Sequence, residues 1–334
     1  MALGGFDLVH DFGDAASEAR MCRTNCALFD FSFLECARLE GVHARSVIEA
    51  FTGRPLGALG EKEIFYALRA GPDGDLIADW TVWRTGADSF EVMSGRREDI
   101  MDLLACAAPG VQVTDITVQR AVFALQGPRT LEALRKLGDV NRIESLKYFT
   151  FDHARLAEIS CTIGRIGYTG EAGVEIIVDR GCAPILWKAL SSQVTPAGFI
   201  AADMLRIEAG FVLFSNEFRL PISCREAGLE NFGRATNPVR PELSLVSFRA
   251  DADRLSWPWN SSSDLQRPVF PGTIAVTSAC NSIAAGGILG LGYVLAKTGP
   301  ETVLNDPAGT FRNVHLTAKP FYDTVKRRVR ATWR

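Results

Sequence analysis

Arg165–Ile176, RIGYTGEAGVEI, carries more structural information than any other segment of the 334-residue chain. It reads as two strands around a tight turn, with Tyr168 ending the first strand and Thr169–Gly173 making the turn. Gly170 and Gly173 offer the positive φ that a tight turn needs. In the second strand, Glu175 points to the face opposite Val174 and Ile176, because side chains alternate along a strand. Two readings of Glu175 stay open at this point. It is either a solvated surface residue or a carboxylate held on a rigid hairpin, beside a tyrosine, for a planar hydrogen-bond-donating ligand.

Working outward, the chain keeps ordinary apolar and charged fractions, and its net charge of −3 is too small to point to a nucleic-acid partner. No apolar run approaches the ~20 residues of a membrane span. The N-terminus has acidic residues where a secretory signal has basic ones. The eight cysteines are scattered, and Cys22 and Cys26 have no second Cys or His pair to complete a metal site, so no metal is expected. The cysteines read as buried, reduced thiols of a cytoplasmic protein. The four histidines form no recognisable nucleophile motif. The basic cluster Lys326, Arg327, Arg328, Arg330 and Arg334 reads as either the solvated end of the last element or an anion site.

Periodicity predicts helices over Ala15–Cys26, His43–Thr52, Glu98–Cys106, Pro128–Leu137, Cys182–Gln193 and Ala201–Ala209. Strands are expected at Glu63–Leu68 and Ile77–Arg84, around the turn Gly71–Gly74, and at Ser89–Met93 and Ala121–Leu125. Composition shifts near Asn237–Pro241, after which the chain reads as a small antiparallel β domain. The glycines between Gly286 and Gly292 do not sit in a strand–turn–helix unit, so they lack the context of a dinucleotide loop.

Five segments in order resemble one family. RIGYTGEAGVEI resembles the GYTGE-x-G-[FY]-E-I motif of the glycine cleavage T-protein (aminomethyltransferase) family. Leu205–Phe218, LRIEAGFVLFSNEF, resembles its LRLEAG-x-x-LYGQE. Ala27–Phe33, Asp73–Val82 and Gly272–Ala296 resemble its FDVSH, DDLIV and C-terminal LGYSIALA segments. The resemblance implies an α+β, multidomain T-protein-like folate-binding fold with a C-terminal antiparallel β-barrel domain. It implies residues 1–236 as the folate-binding and catalytic region, with 41–119 an inserted α+β subdomain, and 237–334 as the barrel domain.

The same resemblance implies tetrahydrofolate as cofactor and a small methyl or aminomethyl donor as substrate. On the matching positions, Asp79 is the catalytic aspartate. Glu175 would take the paired pterin N–H and amino donors, which a carboxylate accepts bidentately. Arg206 would take the tail carboxylates. Tyr66, Trp83 and Tyr168 would flank the rings, although core packing also explains aromatics on strands. Ser94 stands where the family has an asparagine, Phe33 where it has a histidine, and Ala78 where it has the first aspartate of its pair. The family's N-terminal G-W-x-x-P-x-x-Y pattern is not recognisable. These departures surround the donor side, so the expectation is a folate-dependent transferase of the demethylase type. Two alternatives stay beside it: a non-catalytic folate-binding scaffold, and the folate-binding subunit of a sarcosine-oxidase-like complex. A protein partner carrying the donor, or a flavoprotein subunit, is compatible with these readings.

Overall fold

The computed structural model describes residues 2, 3, 6–106, 109–234, 240–253, 255, 265–268, 270–331 and 333. The composition shift at Asn237–Val239 lies outside the described residues. In chain order, β1 (Ala2–Leu3), β2 (Phe6–Asp7) and α1 (Ala15–Thr24) lead to β3 (Ala27–Asp30) and β4 (Glu35–Glu40). Next come α2 (Ala44–Thr52), β5 (Ile64–Ala70), β6 (Leu76–Gly86), β7 (Ser89–Ser94), α3 (Arg97–Ala105) and β8 (Gln112–Asp115). The middle holds β9 (Arg120–Gln126), α4 (Thr130–Arg135), α5 (Asn141–Glu144), β10 (Phe151–Leu156), β11 (Ile159–Gly164) and β12 (Gly173–Asp179). Then follow α6 (Ala183–Ser191), β13 (Thr195–Pro196), α7 (Phe199–Glu208) and α8 (Phe214–Glu217). The last part has β14 (Leu243–Asp251), β15 (Ala275–Ser282), β16 (Gly287–Leu295), β17 (Val303–Leu304), β18 (Arg312–Thr317) and α9 (Arg327–Arg330).

Three larger sheets form, almost wholly antiparallel. The first, in the order β10-β11-β12-β9-β3-β13, carries Glu175 on its β12 strand. That strand is buried on both faces. Val174 and Ile176 pack with Phe123, Leu125, Ile163 and Leu186, whereas Ile177 enters the second, larger core. Glu175 shares the side of Ile177. The second sheet, β5-β6-β7-β4-β8, shows the alternation that makes a half-apolar strand. On β6, Ala78, Trp80 and Val82 are buried with Ile48, Ile100 and Leu103, and Asp79, Thr81 and Trp83 face the other way. Both helices of this part close over the apolar face, with Ile48 and Ile100 fully buried.

The third sheet, β15-β16-β14-β18-β17, is antiparallel throughout. The strands expected to form a barrel are found here as one five-stranded antiparallel sheet. Its edges meet at one parallel bridge, Thr273 with Asn305, where Asn305 N donates to Gly272 O at 2.7 Å. The edge strand β17 has only two residues.

The hairpin around Arg165–Ile176 is wider than the sequence pattern suggests. The first strand ends at Gly164, and residues 165–172 form a loop in which Tyr168 sits. Tertiary bonds take the place of a tight turn. Gln126 Nε2 donates to the carbonyls of Ile166 and Val174, and Thr169 Oγ1 donates to Gln126 Oε1 at 2.9 Å. Gly170 does take a positive φ of 80°, whereas Gly173 joins β12 as the partner of Gln126.

The C-terminal segment lies across this loop. Tyr322 donates its hydroxyl to Glu171 at 2.5 Å and its backbone N–H to Glu208 O at 2.8 Å. Arg23 stacks on the Tyr322 ring at 3.7 Å and pairs with Glu208 and Glu171 at 2.8 and 3.2 Å. Arg328 closes the set on Glu171 at 3.4 Å. Glu171 and Glu208 are almost fully buried, and each is met by cationic or hydroxyl donors, so their burial is compensated. Among the described residues, no helix is long and apolar enough to cross a membrane.

Candidate active site

Between the first two sheets and the C-terminal segment lies a cavity of about 470 Å³. Asp79, Tyr66 and Ser94 reach it from the second sheet, Glu175 from the first, and Tyr168 from the loop. β5 and β6 pair Tyr66 with Thr81 and Leu68 with Asp79, so Tyr66 and Asp79 are diagonal neighbours on one face. Tyr66 donates its hydroxyl to Asp79 Oδ2 at 3.0 Å. Burial pushes the Asp79 carboxyl up to about 6, and the Tyr66 bond opposes that rise. The phenol of Tyr66 is pushed up in turn by burial and by the Asp79 charge.

Glu175 is 7% exposed, and no described residue donates a hydrogen bond to its carboxylate. Desolvation alone pushes it up to about 7. A buried acceptor of this kind awaits a donor. Tyr168 stacks on Phe211 with centroids 6.0 Å apart and donates to Val212 O at 2.6 Å, which aims its ring rather than its hydroxyl at the cavity. Ser94 lines the cavity but spends its proton on the buried Asp99, 2.5 Å away. Asp99 also accepts from Trp80 and Arg69.

Two expected residues are not part of this lining. Trp83 is 1% exposed, packed on Phe151 at 5.3 Å and over Gly164. A side chain at Gly164 would run into the Trp83 ring within 2.1 Å, so this glycine makes room for the indole in the core. Arg206 is fully buried. It pairs with Asp203 and Glu217 at 2.8 Å, and bonds Ser278 Oγ at 2.7 Å and Phe211 O at 3.2 Å. Desolvation works against its charge, but Glu217 and Asp203 more than offset that and raise its pKa. Glu217 also accepts from the Leu213 N–H at 2.6 Å. Arg206 thus fixes the 211–217 segment, whose Phe211, Val212, Leu213 and Phe214 form one wall of the cavity.

The cations at the cavity mouth come from elsewhere. Lys319, Lys326 and Arg330 line it from the C-terminal segment. Lys326 Nζ lies 5.0 Å from the Phe211 ring centre, and desolvation lowers its pKa. Lys319 is pushed down to about 8 by desolvation and by Lys326 beside it, which leaves it cationic at neutral pH. The basic C-terminal cluster is the sequence signal for Lys326 and Arg330, and Lys319 lies outside it. Its members divide by structure: Lys326 and Arg330 face the cavity, and Arg328 binds Glu171. Tyr148, Phe149 and Phe232 are further aromatic linings; Phe232 meets Tyr66 edge-on at 5.2 Å.

Phe31, Phe33, Leu34, Met93, Phe199 and Phe214 add apolar lining to the cavity. A neighbouring cleft of about 530 Å³ shares Phe31, Phe33 and Phe199 but contains none of Asp79, Glu175 or Tyr66. The cavity with the titratable groups is therefore the candidate for chemistry. No cluster of metal-ligating side chains occurs among the described residues.

The chain can be compared with known proteins on this footing. The GCVT N-terminal domain family model matches residues 1–236. A Natronomonas pharaonis protein named "Probable aminomethyltransferase" is 30% identical over 349 residues, covering 96% of this chain and 94% of its own length. An Ectopseudomonas mendocina protein, the heme-dependent oxidative N-demethylase gamma subunit, is 33% identical over 223 residues, covering 64% of this chain and 58% of its own. Among solved structures, the glycine cleavage system aminomethyltransferase T from Bartonella henselae superposes with a TM-score of 0.76 at 21% identity. That match covers 97% of this chain and 94% of the other, and it shows a shared multidomain fold.

Proposed function

The chain belongs to the aminomethyltransferase (glycine cleavage T-protein) family, and from that membership we propose a tetrahydrofolate-dependent one-carbon transferase of the demethylase type. One observation supports the reading: Glu175, a buried carboxylate with no donor among the described residues, and Asp79, a tyrosine-held carboxylate, open on one aromatic cavity. The residues present fit a reduced folate. Glu175 lacks the donors that a pterin offers side by side. Tyr66, Tyr148, Tyr168 and Phe232 supply ring surfaces. Lys319, Lys326 and Arg330 supply positive charge for an acidic tail, in place of the buried Arg206. Residues 1–236 are assigned as the folate-binding and catalytic region, with 41–119 as an inserted subdomain, and 237–334 as a C-terminal β domain.

Tetrahydrofolate supplies N5, the atom that takes up or releases the one-carbon unit. Glu175 orients the ring system through its paired acceptors. Asp79, pushed to about 6, is mostly ionised at neutral pH and close enough to its pKa to hold or release a proton. Its charge also stabilises positive charge that develops at the one-carbon centre in a site with few water-facing groups. Tyr66 fixes the carboxylate and limits its basicity.

The donor side supports a demethylase-type substrate. Ser94 is committed to Asp99, and Phe33 packs edge-on against Phe31 and Phe199 at 5.8 and 5.7 Å. These groups offer surface to a methyl donor and little hydrogen bonding to a polar aminomethyl carrier. Turnover of N-, O- and S-methyl donors with tetrahydrofolate, read as 5-methyl- or 5,10-methylene-tetrahydrofolate, tests this reading. Robust glycine cleavage on reconstitution with the other glycine-cleavage components would instead return the chain to the housekeeping role. The relative named as a demethylase gamma subunit favours a second reading, in which a partner protein delivers the donor. Folate binding without turnover on any donor would favour a non-catalytic scaffold.

A further inference from the structure

Phe149 has φ = 66°, in the left-handed region that bulky side chains rarely adopt. A glycine takes this backbone without strain. The chain nonetheless has a phenylalanine, whose ring lies half-buried in the cavity wall, edge-on to Tyr148 at 4.6 Å. The backbone there is held from both sides. Phe149 N donates to Arg165 O at 3.0 Å, and Phe149 O accepts from Ile64 N at 2.8 Å. Arg165 follows Gly164, the cross-strand partner of Glu175. Ile64 lies two residues before Tyr66 on the strand that pairs with the Asp79 strand. Phe149 therefore ties the strands carrying Glu175 to the hairpin carrying Tyr66 and Asp79. Backbone strain of this kind persists where surrounding structure enforces it, and it concentrates at ligand sites.

We propose that Phe149 is a ligand-contacting residue whose ring walls the planar-ring subsite between Glu175 and Asp79, and that its strained backbone is kept because it puts the ring there. The inference rests on the folate reading and adds to it a residue that none of the sequence motifs carries. The competing role is core packing alone, since the ring also touches the larger core.

The test pairs melting temperature with titration calorimetry of tetrahydrofolate on the full chain for wild type, Phe149→Ala, Phe149→Gly, Phe149→Leu and Phe149→Tyr. The expected result is a tenfold or greater rise in Kd for Ala and Gly, and a rise of under threefold for Tyr. The Gly variant melts at or above the Ala variant, the reverse of the ordinary order, because glycine removes the strain. If the Ala and Gly variants fail to fold, Leu keeps apolar bulk without an aromatic face and carries the same tenfold expectation. Wild-type binding with Kd unchanged within twofold in Ala, Gly and Leu overturns the wall role and leaves the folate reading standing. A Gly variant melting several degrees below Ala overturns the strain account. Absence of binding in wild type overturns the folate reading and this inference with it.

Discussion

Tyr66 donates its hydroxyl to Asp79 Oδ2 at 3.0 Å across the diagonal of the β5–β6 hairpin, and both groups open on the cavity. The pair sets two opposed effects on one carboxyl. Burial raises its pKa to about 6, and the phenol holds it from rising further. Tyr66→Phe removes only the second effect. The Asp79 pKa then rises by about one unit, since hydrogen bonds to charged groups are worth about 1.5–3 kcal/mol and one unit is about 1.4. The acidic limb of the pH–rate profile moves from near 6 towards 7, with little change above pH 9. A limb that stays in place shows that Asp79 is not the titrating group.

Asp79→Asn keeps the shape of the side chain and removes its charge. Folate affinity changes by less than about threefold, and turnover on the true donor falls by about 10² or more, as for loss of a preorganised charge. Equal losses in binding and turnover would make Asp79 a binding residue only.

Glu175 ties stability to pH. Its carboxyl is pushed to about 7 in the folded chain, against 4.5 for the free group. The folded state therefore keeps a proton that the unfolded state releases across that window. The stability associated with it is fully present below about 4.5 and is lost as pH rises through 7. Asp79 acts in the same sense, up to about 6. Glu175→Gln removes the buried charge. The ligand-free protein then gains about 1–3 kcal/mol at pH 8, a few degrees in Tm, and almost nothing at pH 4.5. Differential scanning calorimetry at the two pH values checks the sign.

Arg206 acts through structure. Arg206→Met leaves Asp203 and Glu217 without their cation in a buried setting, and the loss of stability is about 3–5 kcal/mol. Chemical denaturation measures it. A stable variant that loses folate affinity selectively would restore Arg206 as a ligand residue.

Lys319 and Lys326 act at the cavity mouth. Lys319→Ala/Lys326→Ala weakens folate with several glutamates in its tail by about tenfold at low salt, and pteroate, which has none, by less than twofold. The difference shrinks as salt is raised. Equal effects on both ligands would remove these lysines from tail recognition.

The six longer helices of the first 236 residues and the strands β5, β6, β7, β9 and β12 are legible in the sequence, because their apolar periods are regular. The predicted helix over Glu98–Cys106 is observed at Arg97–Ala105, and the predicted strands either side of Gly71–Gly74 at Ile64–Ala70 and Leu76–Gly86. Other strands, such as Ala27–Asp30 and Glu35–Glu40, are not legible there, since one is short and the other carries buried Glu35 amid apolar neighbours. Alternation along β6 puts Asp79 and Trp83 on one face, but it says nothing about depth. Gly164 lets the Trp83 indole sink into the core, and that requires a contact 81 residues away. Arg206 and the C-terminal cations exchange their expected places for a similar reason. Asp203, three residues before Arg206, was visible in the sequence, but Glu217 and Ser278 come from distant segments. The path that brings Lys319 and Lys326 to the cavity depends on Tyr322 meeting Glu171, 151 residues away.

Titration calorimetry of tetrahydrofolate at pH 8, on wild type and on Glu175→Gln, decides whether this cavity holds a reduced folate through Glu175. The account predicts a saturable single site in wild type and a loss of about 2–4 kcal/mol, at least thirtyfold in Kd, in the variant, because its amide can no longer accept two ring donors with a charge. Wild type without binding, or both proteins binding with the same affinity, would contradict the assignment of this cavity to a reduced folate held by Glu175.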